Sequence, residues 1–183
     1  MIDSIKSFFN IEDRPSPEEA EAERVAQEAA TEASNQEAIA RAEELMATAQ
    51  TRRDRGDRIG ASIYYAEAIT LLRNADLSER LAYALRHAAE VRSELGEYAV
   101  AAAHIQDAIR LYRATPGVSP LDLANALRVS ALTDEREARA SWTEARELYR
   151  TAGVAAGVSE SSQHLEILPP DPTTTPPDKE PLP

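Results

Sequence analysis

Residues 45–73, LMATAQTRRDRGDRIGASIYYAEAITLLR, return forty positions later as residues 85–113, LRHAAEVRSELGEYAVAAAHIQDAIRLYR. Leu45, Ala49, Arg52, Gly56, Ala61, Ala68, Ile69, Leu71 and Arg73 recur as Leu85, Ala89, Arg92, Gly96, Ala101, Ala108, Ile109, Leu111 and Arg113. A repeat of this length decides the architecture before any local reading. Each unit is one supersecondary element that buries its apolar face only by stacking on the next. Spacing within the units is helical: Ile63, Ala66, Ile69 and Leu72 share a face, as do Leu81, Leu85, Ala88 and Val91. No run alternates with period two over a useful length, so no strands are expected. Hydrophobic residues make up 43% of the chain, much of it alanine, and aromatics only 5%. Small side chains build a core by letting helix backbones approach closely.

Helix starts and stops are written along the chain. Ser16-Pro17-Glu18-Glu19 supplies a capping hydroxyl, a proline at the first helical position and a glutamate at the third. Ser119-Pro120-Leu121-Asp122 repeats the device, and Ser78 is a further N-cap candidate. Gly56, Gly96, Thr115-Pro116-Gly117 and Gly153 mark stops. The expected helices are 17–34, continuous or not with 36–55, then 57–74, 78–95, 97–114, 120–133, 136–151 and 157–168. Short connections force sequential helices to be antiparallel. The organisation is then a flexible arm over 1–15, a helical domain over 16–168 and a tail over 169–183. That tail holds seven of the eleven prolines and is expected to stay extended.

A third unit follows the first two. Leu81-Ala82, Ala84-Leu85-Arg86 and Ala89 match Leu123-Ala124, Ala126-Leu127-Arg128 and Ala131 at a spacing of 42, and Ala138…Trp142…Ala145…Leu148-Tyr149-Arg150 matches the second helix at 37. Tyr65, Ile105 and Trp142 are equivalent core positions. The third unit has Asp134-Glu135 where a turn glycine is expected and is five residues short, so its hairpin must be tighter or shifted. Ala49…Gly56-Asp57…Ala61…Tyr65…Ala68 and Ala89…Gly96-Glu97-Tyr98…Ala101…Ile105…Ala108 resemble the tetratricopeptide repeat. The period near 40, against about 34 for that family, resembles the longer repeats of kinesin light chains. The resemblance implies an all-α, right-handed solenoid of antiparallel hairpins, about three repeats over 40–152, with an N-terminal helix and a capping helix at 158–168.

The net charge is −12. Residues 1–50 hold twelve acids against Lys6, Arg14, Arg24 and Arg41, whereas residues 51–168 are nearly balanced. Such a chain repels phosphate backbones, so nucleic acid is not an expected partner, and basic partners are steered to the N-terminal third. With no cysteine, disulfides and thiol chemistry are excluded. No segment approaches a membrane span, and Met1 to Asn10 lacks the pattern of a signal peptide. A cytoplasmic protein is expected.

In tetratricopeptide arrays the first helices line a concave groove. By resemblance the groove positions are Glu43, Met46, Gln50 and Arg53, then Tyr83, Arg86, His87 and Glu90, then Asn125, Arg128, Val129 and Leu132. Gln50, Tyr83, Arg86, His87, Asn125 and Arg128 are the candidate partner-binding residues. Equivalent Arg86 and Arg128 would stand side by side, able to hold an acidic or C-terminal peptide segment by bidentate bonds, or else be solvated or paired with Glu90 or Glu94. Family members that clamp a peptide C-terminus use lysine and asparagine where this chain has Met46 and Gln50, so that specificity is not expected. His87 with Glu90 is too sparse for a metal site, and no nucleophile elbow, phosphate loop or acid dyad is present. Arg52, Arg53, Arg55 and Arg58 form a basic turn broken by Asp54 and Asp57. Ile2, Ile5, Phe8 and Phe9 make a short apolar stripe suited to docking, whether in the chain's own groove, on a partner or on a membrane surface, or else to a frayed terminus. The expectation is a non-catalytic protein- or peptide-binding adaptor without cofactor or metal. The alternative is a self-associating scaffold, a homodimer through the alanine-rich N-terminal helix.

Overall fold

The computed structural model describes residues 16–75 and 77–169. They form seven helices: α1 (Pro17–Asp54), α2 (Arg58–Asn74), α3 (Ser78–Glu94), α4 (Tyr98–Ala114), α5 (Pro120–Thr133), α6 (Ala138–Thr151) and α7 (Ala155–Ile167). No strand occurs among the described residues. Each helix packs on the next in sequence, and α3 also touches α5. The expected arm and its apolar stripe, and the proline-rich tail beyond Pro169, lie outside the described residues.

Local chemistry explains the boundaries. At the head of α1 the Ser16 hydroxyl accepts from the Glu19 amide at 3.2 Å, and the Glu19 carboxylate accepts from the Ser16 amide at 2.8 Å. This reciprocal box satisfies two amides a helix start leaves free. The Ser119 hydroxyl caps α5 by accepting from the Leu121 amide at 3.2 Å. Ser78 does not cap α3: it is already helical, and Leu77 takes the boundary, its amide bonded to Leu72 O at 3.1 Å. Partly buried against the core, Leu77 anchors that turn by packing rather than by a hydroxyl. Gly56 and Gly96 close the first two hairpins at φ 82° and 78°, a left-handed conformation that is costly for a β-carbon.

The third hairpin closes without glycine. Asp134 is extended (φ −134°, ψ 108°), and its carboxylate accepts from the Arg136 amide at 3.0 Å. The missing length comes out of the helices: α5 and α6 have 14 residues each where α3 and α4 have 17.

The core runs along the hairpins. Ala49, Ala89, Ala61, Ala101, Ala68 and Ala108 have no exposed surface, and Tyr65, Ile105 and Trp142 are buried at equivalent places. On α2 the expected apolar face is shifted. Ile63 is 53% exposed and Ala66 is exposed, while Ala61, Tyr65, Ala68, Ile69 and Leu72 face inward. The small-residue positions set the packing stripe, and Ile63 falls beside it. Ala108→Leu adds three carbons at a position with no exposed surface, and chemical denaturation is expected to show a loss of roughly 2 kcal/mol.

The long first helix divides in two. Ala42, Leu45 and Ala49 are buried, but every residue from Pro17 to Ser34 is exposed. Arg24 bridges Glu21 and Glu28 along this overhang, each contact at 2.6 Å. Such exposed pairs add only tenths of a kcal/mol. The docked half nucleates the helix and the overhang propagates from it. Amides of residues 20–34 are therefore expected to exchange with solvent orders of magnitude faster than those of residues 42–50, as read by hydrogen exchange.

Candidate functional site

Glu90, near the C-terminal end of α3, gathers a cluster of side chains. Arg53 crosses from α1 and donates to Glu90 Oε2 at 2.7 Å and, through Nε, to Glu94 at 2.9 Å. Arg58 donates to the other Glu94 oxygen at 3.0 Å. The basic turn thus serves to tie the first hairpin to the second. One turn back, Arg86 Nη1 donates to Glu90 Oε1 at 3.0 Å. Arg86 Nη2 lies 2.9 Å from His87 Nε2, and His87 Nδ1 lies 3.3 Å from Glu90 Oε2. A guanidinium only donates, so in the neutral ring the network assigns the His87 proton to Nδ1, from which it reaches Glu90. Burial alone would raise the Glu90 carboxyl. The hydrogen bond and charge of His87, then the Arg53 bond and the Arg86 charge, reverse that and hold it at about 2.

Aromatic rings surround this cluster. Tyr65 stacks on His87 with centroids 6.0 Å apart, and Tyr83 meets the same ring edge-on at 4.4 Å. The Arg86 guanidinium sits 5.1 Å from the Tyr83 centroid.

Beside them opens a pocket of about 590 Å³ between α1 and α3. Its lining includes Met46, Gln50, Tyr65, Tyr83, Tyr112 and Asp122. Gln50 donates to Asp54 at 2.7 Å, and its carbonyl lies 3.4 Å from the Tyr65 hydroxyl. Among the described residues, Arg86 Nε and Tyr112 Oη are buried without a well-formed hydrogen bond. The Tyr112 hydroxyl is pushed up to about 12, by burial first, with the charge and a weak hydrogen bond of the nearby Arg86 opposing and the Asp122 charge adding.

The structure brings Gln50, Tyr83, Arg86 and His87 together on this face. Asn125 and Arg128 stand on the next hairpin and are engaged with their own neighbours. Tyr149 donates to Asn125 Oδ1 at 2.9 Å, and Arg128 Nε is 2.8 Å from Glu160 Oε2 on α7. Arg86, 7% exposed, and Arg128 each carry a carboxylate already. They are not two free cations facing a ligand.

Sequence reasoning did not find Tyr112, Asp122 or Glu160. Tyr112 is the repeat equivalent of Leu72, so it reads as core, and only the change from Leu to Tyr signals a polar atom there. Glu160 lies on α7, outside the repeat, and no unit offers a counterpart. No helix of the described residues is long and apolar enough to cross a membrane. No protein-family model matches the chain, nor does any curated protein sequence.

Proposed function

We propose that the chain is a non-catalytic adaptor, tetratricopeptide-like in organisation, that binds a short segment of another protein on the face formed by α1, α3 and α5. The observation that carries this reading is the pocket between α1 and α3. It is concave, aromatic-walled and rimmed by charge, and the rigid α3 cluster fixes one side of it. Pockets of this size, mostly apolar with a few fixed polar groups, suit an anchoring side chain. With both candidate arginines already paired, an acidic or C-terminal segment has less to recognise than the sequence suggests.

The experiment places a photo-crosslinking benzoylphenylalanine at position 83, where the native tyrosine is 43% exposed, and maps the adducts formed in native lysate. Adducts clustered on one short segment of another protein are expected. Adducts between copies of this chain alone would replace this reading with the scaffold one. Full exposure of residues 17–34 favours that second reading, but charge opposes it. Residues 17–37 carry seven glutamates against Arg24, so two copies laid together there repel.

A further inference from the structure

We infer that the pocket at the head of α3 receives a basic side chain, lysine or arginine, of the bound peptide, held by Asp122 and Glu79 through charge and by the Tyr112 hydroxyl through a hydrogen bond. This rests on the peptide-binding reading above and specifies its occupant.

Two repeats differ at this place. Tyr112 and Tyr149 are equivalent at a spacing of 37, and Tyr83 and Asn125 at 42. In the third hairpin the buried tyrosine is satisfied, because Tyr149 donates to the Asn125 carboxamide. In the second hairpin the asparagine position is Tyr83, which offers a ring instead of an amide oxygen. Tyr112, 3% exposed and among the pocket-lining residues, keeps a buried hydroxyl beside the Arg86 guanidinium that makes no well-formed hydrogen bond among the described residues. Buried polar groups are nearly always satisfied, so an orphan on a pocket wall marks a place for a ligand or water atom.

Charge then selects the ligand. The lining carries Glu43, Glu79 and Asp122 against Arg80. Arg80 is bonded to Glu43. Neither Asp122 nor Glu79 has an ion-pair partner among the described residues. Behind the wall, the Arg86 charge is met by Glu90. The field inside is therefore negative, and the chain's charge of −12 steers cations towards it. An ammonium or guanidinium brings the donors that two carboxylates and a neutral phenol accept. Its aliphatic stem suits Met46 and the Tyr65 and Tyr83 rings, which also attract the cation by their faces. An acidic side chain would meet unpaired carboxylates instead.

The test titrates the full chain, isotopically labelled for NMR, with capped pentapeptides Gly-Ala-X-Ala-Gly in which X is lysine, arginine, norleucine or glutamate. Lysine or arginine is expected to perturb Ala47, Gln50, Tyr83 and Tyr112 and to bind about ten-fold more tightly than norleucine, with the advantage lost in high salt. Asp122→Asn and Glu79→Gln, each checked for native helicity, should both bring lysine towards norleucine. Tyr112→Phe should weaken lysine about three-fold while leaving the melting temperature unchanged or higher, because it deletes an unsatisfied group. Equal binding of norleucine or glutamate at these residues would overturn the inference and leave the peptide reading standing. Absence of any perturbation at the pocket would overturn both. A Tyr112→Phe chain that melts lower yet binds lysine unchanged would assign the hydroxyl to folding and overturn its role here.

Discussion

Glu90→Ala is expected to destabilise the protein by about 3 kcal/mol, a fall in melting temperature of roughly 6–12 °C. The alanine leaves Arg86, buried to 93% of its surface, without its carboxylate and with Nε already unpartnered. Arg53 keeps Glu94 and is less affected. The same group dictates an acid response. Its folded value of about 2 lies below the ordinary 4.5, so the ionised form contributes stability that is complete above pH 4.5 and is lost as the pH falls towards 2. Thermal melts across that window should show a shallower pH dependence for Glu90→Gln than for the native chain. Melts of Glu90→Ala that superimpose on the native ones would mean that Arg86 is solvated.

Trp142→Ala should cost about 3–5 kcal/mol in chemical denaturation. Trp142 is 1% exposed, and its ring lies against His164 at 4.3 Å with the planes 6° apart. It centres a small cluster with Ala131 and Ala138, closed by Leu165 and Leu168 and separate from the main core. The loss is therefore expected first at the C-terminal end: amides of α7 should lose protection before those of α3 and α4. A uniform loss across all helices would show that the two clusters act as one.

Much of the helix order was legible because packing alanines and turn glycines repeat, and a repeat is a pattern in residue type. Ala61 and Ala101, or Gly56 and Gly96, say the same thing twice. The site was less legible because it is built from departures. Arg86 and Arg128 are equivalent in sequence, yet one is sunk beneath Tyr83 and bonded to its own helix while the other reaches α7. No rule of spacing says which carboxylate a flexible guanidinium will find. Glu90 was foreseeable at four residues from Arg86, and Glu160, 32 residues from Arg128, was not. Likewise, a serine before a helix predicts a cap, but Leu77 took that place through tertiary burial.

The exposed half of α1 has a consequence for hydrodynamics. Eighteen exposed helical residues rise about 27 Å at 1.5 Å each; Gln27, Ala30, Thr31 and Ser34 flank a cleft against Leu71 and Asn74 at the end of α2, and the turns before Gln27 project from the packed hairpins. Such a projection adds drag out of proportion to its mass. A single copy will therefore diffuse more slowly than a sphere of 20.0 kDa and leave a sizing column early, at the place of a heavier globule. Elution volume alone therefore overstates the mass of the chain. Only a measurement of mass itself, by light scattering or sedimentation equilibrium, separates elongation from association.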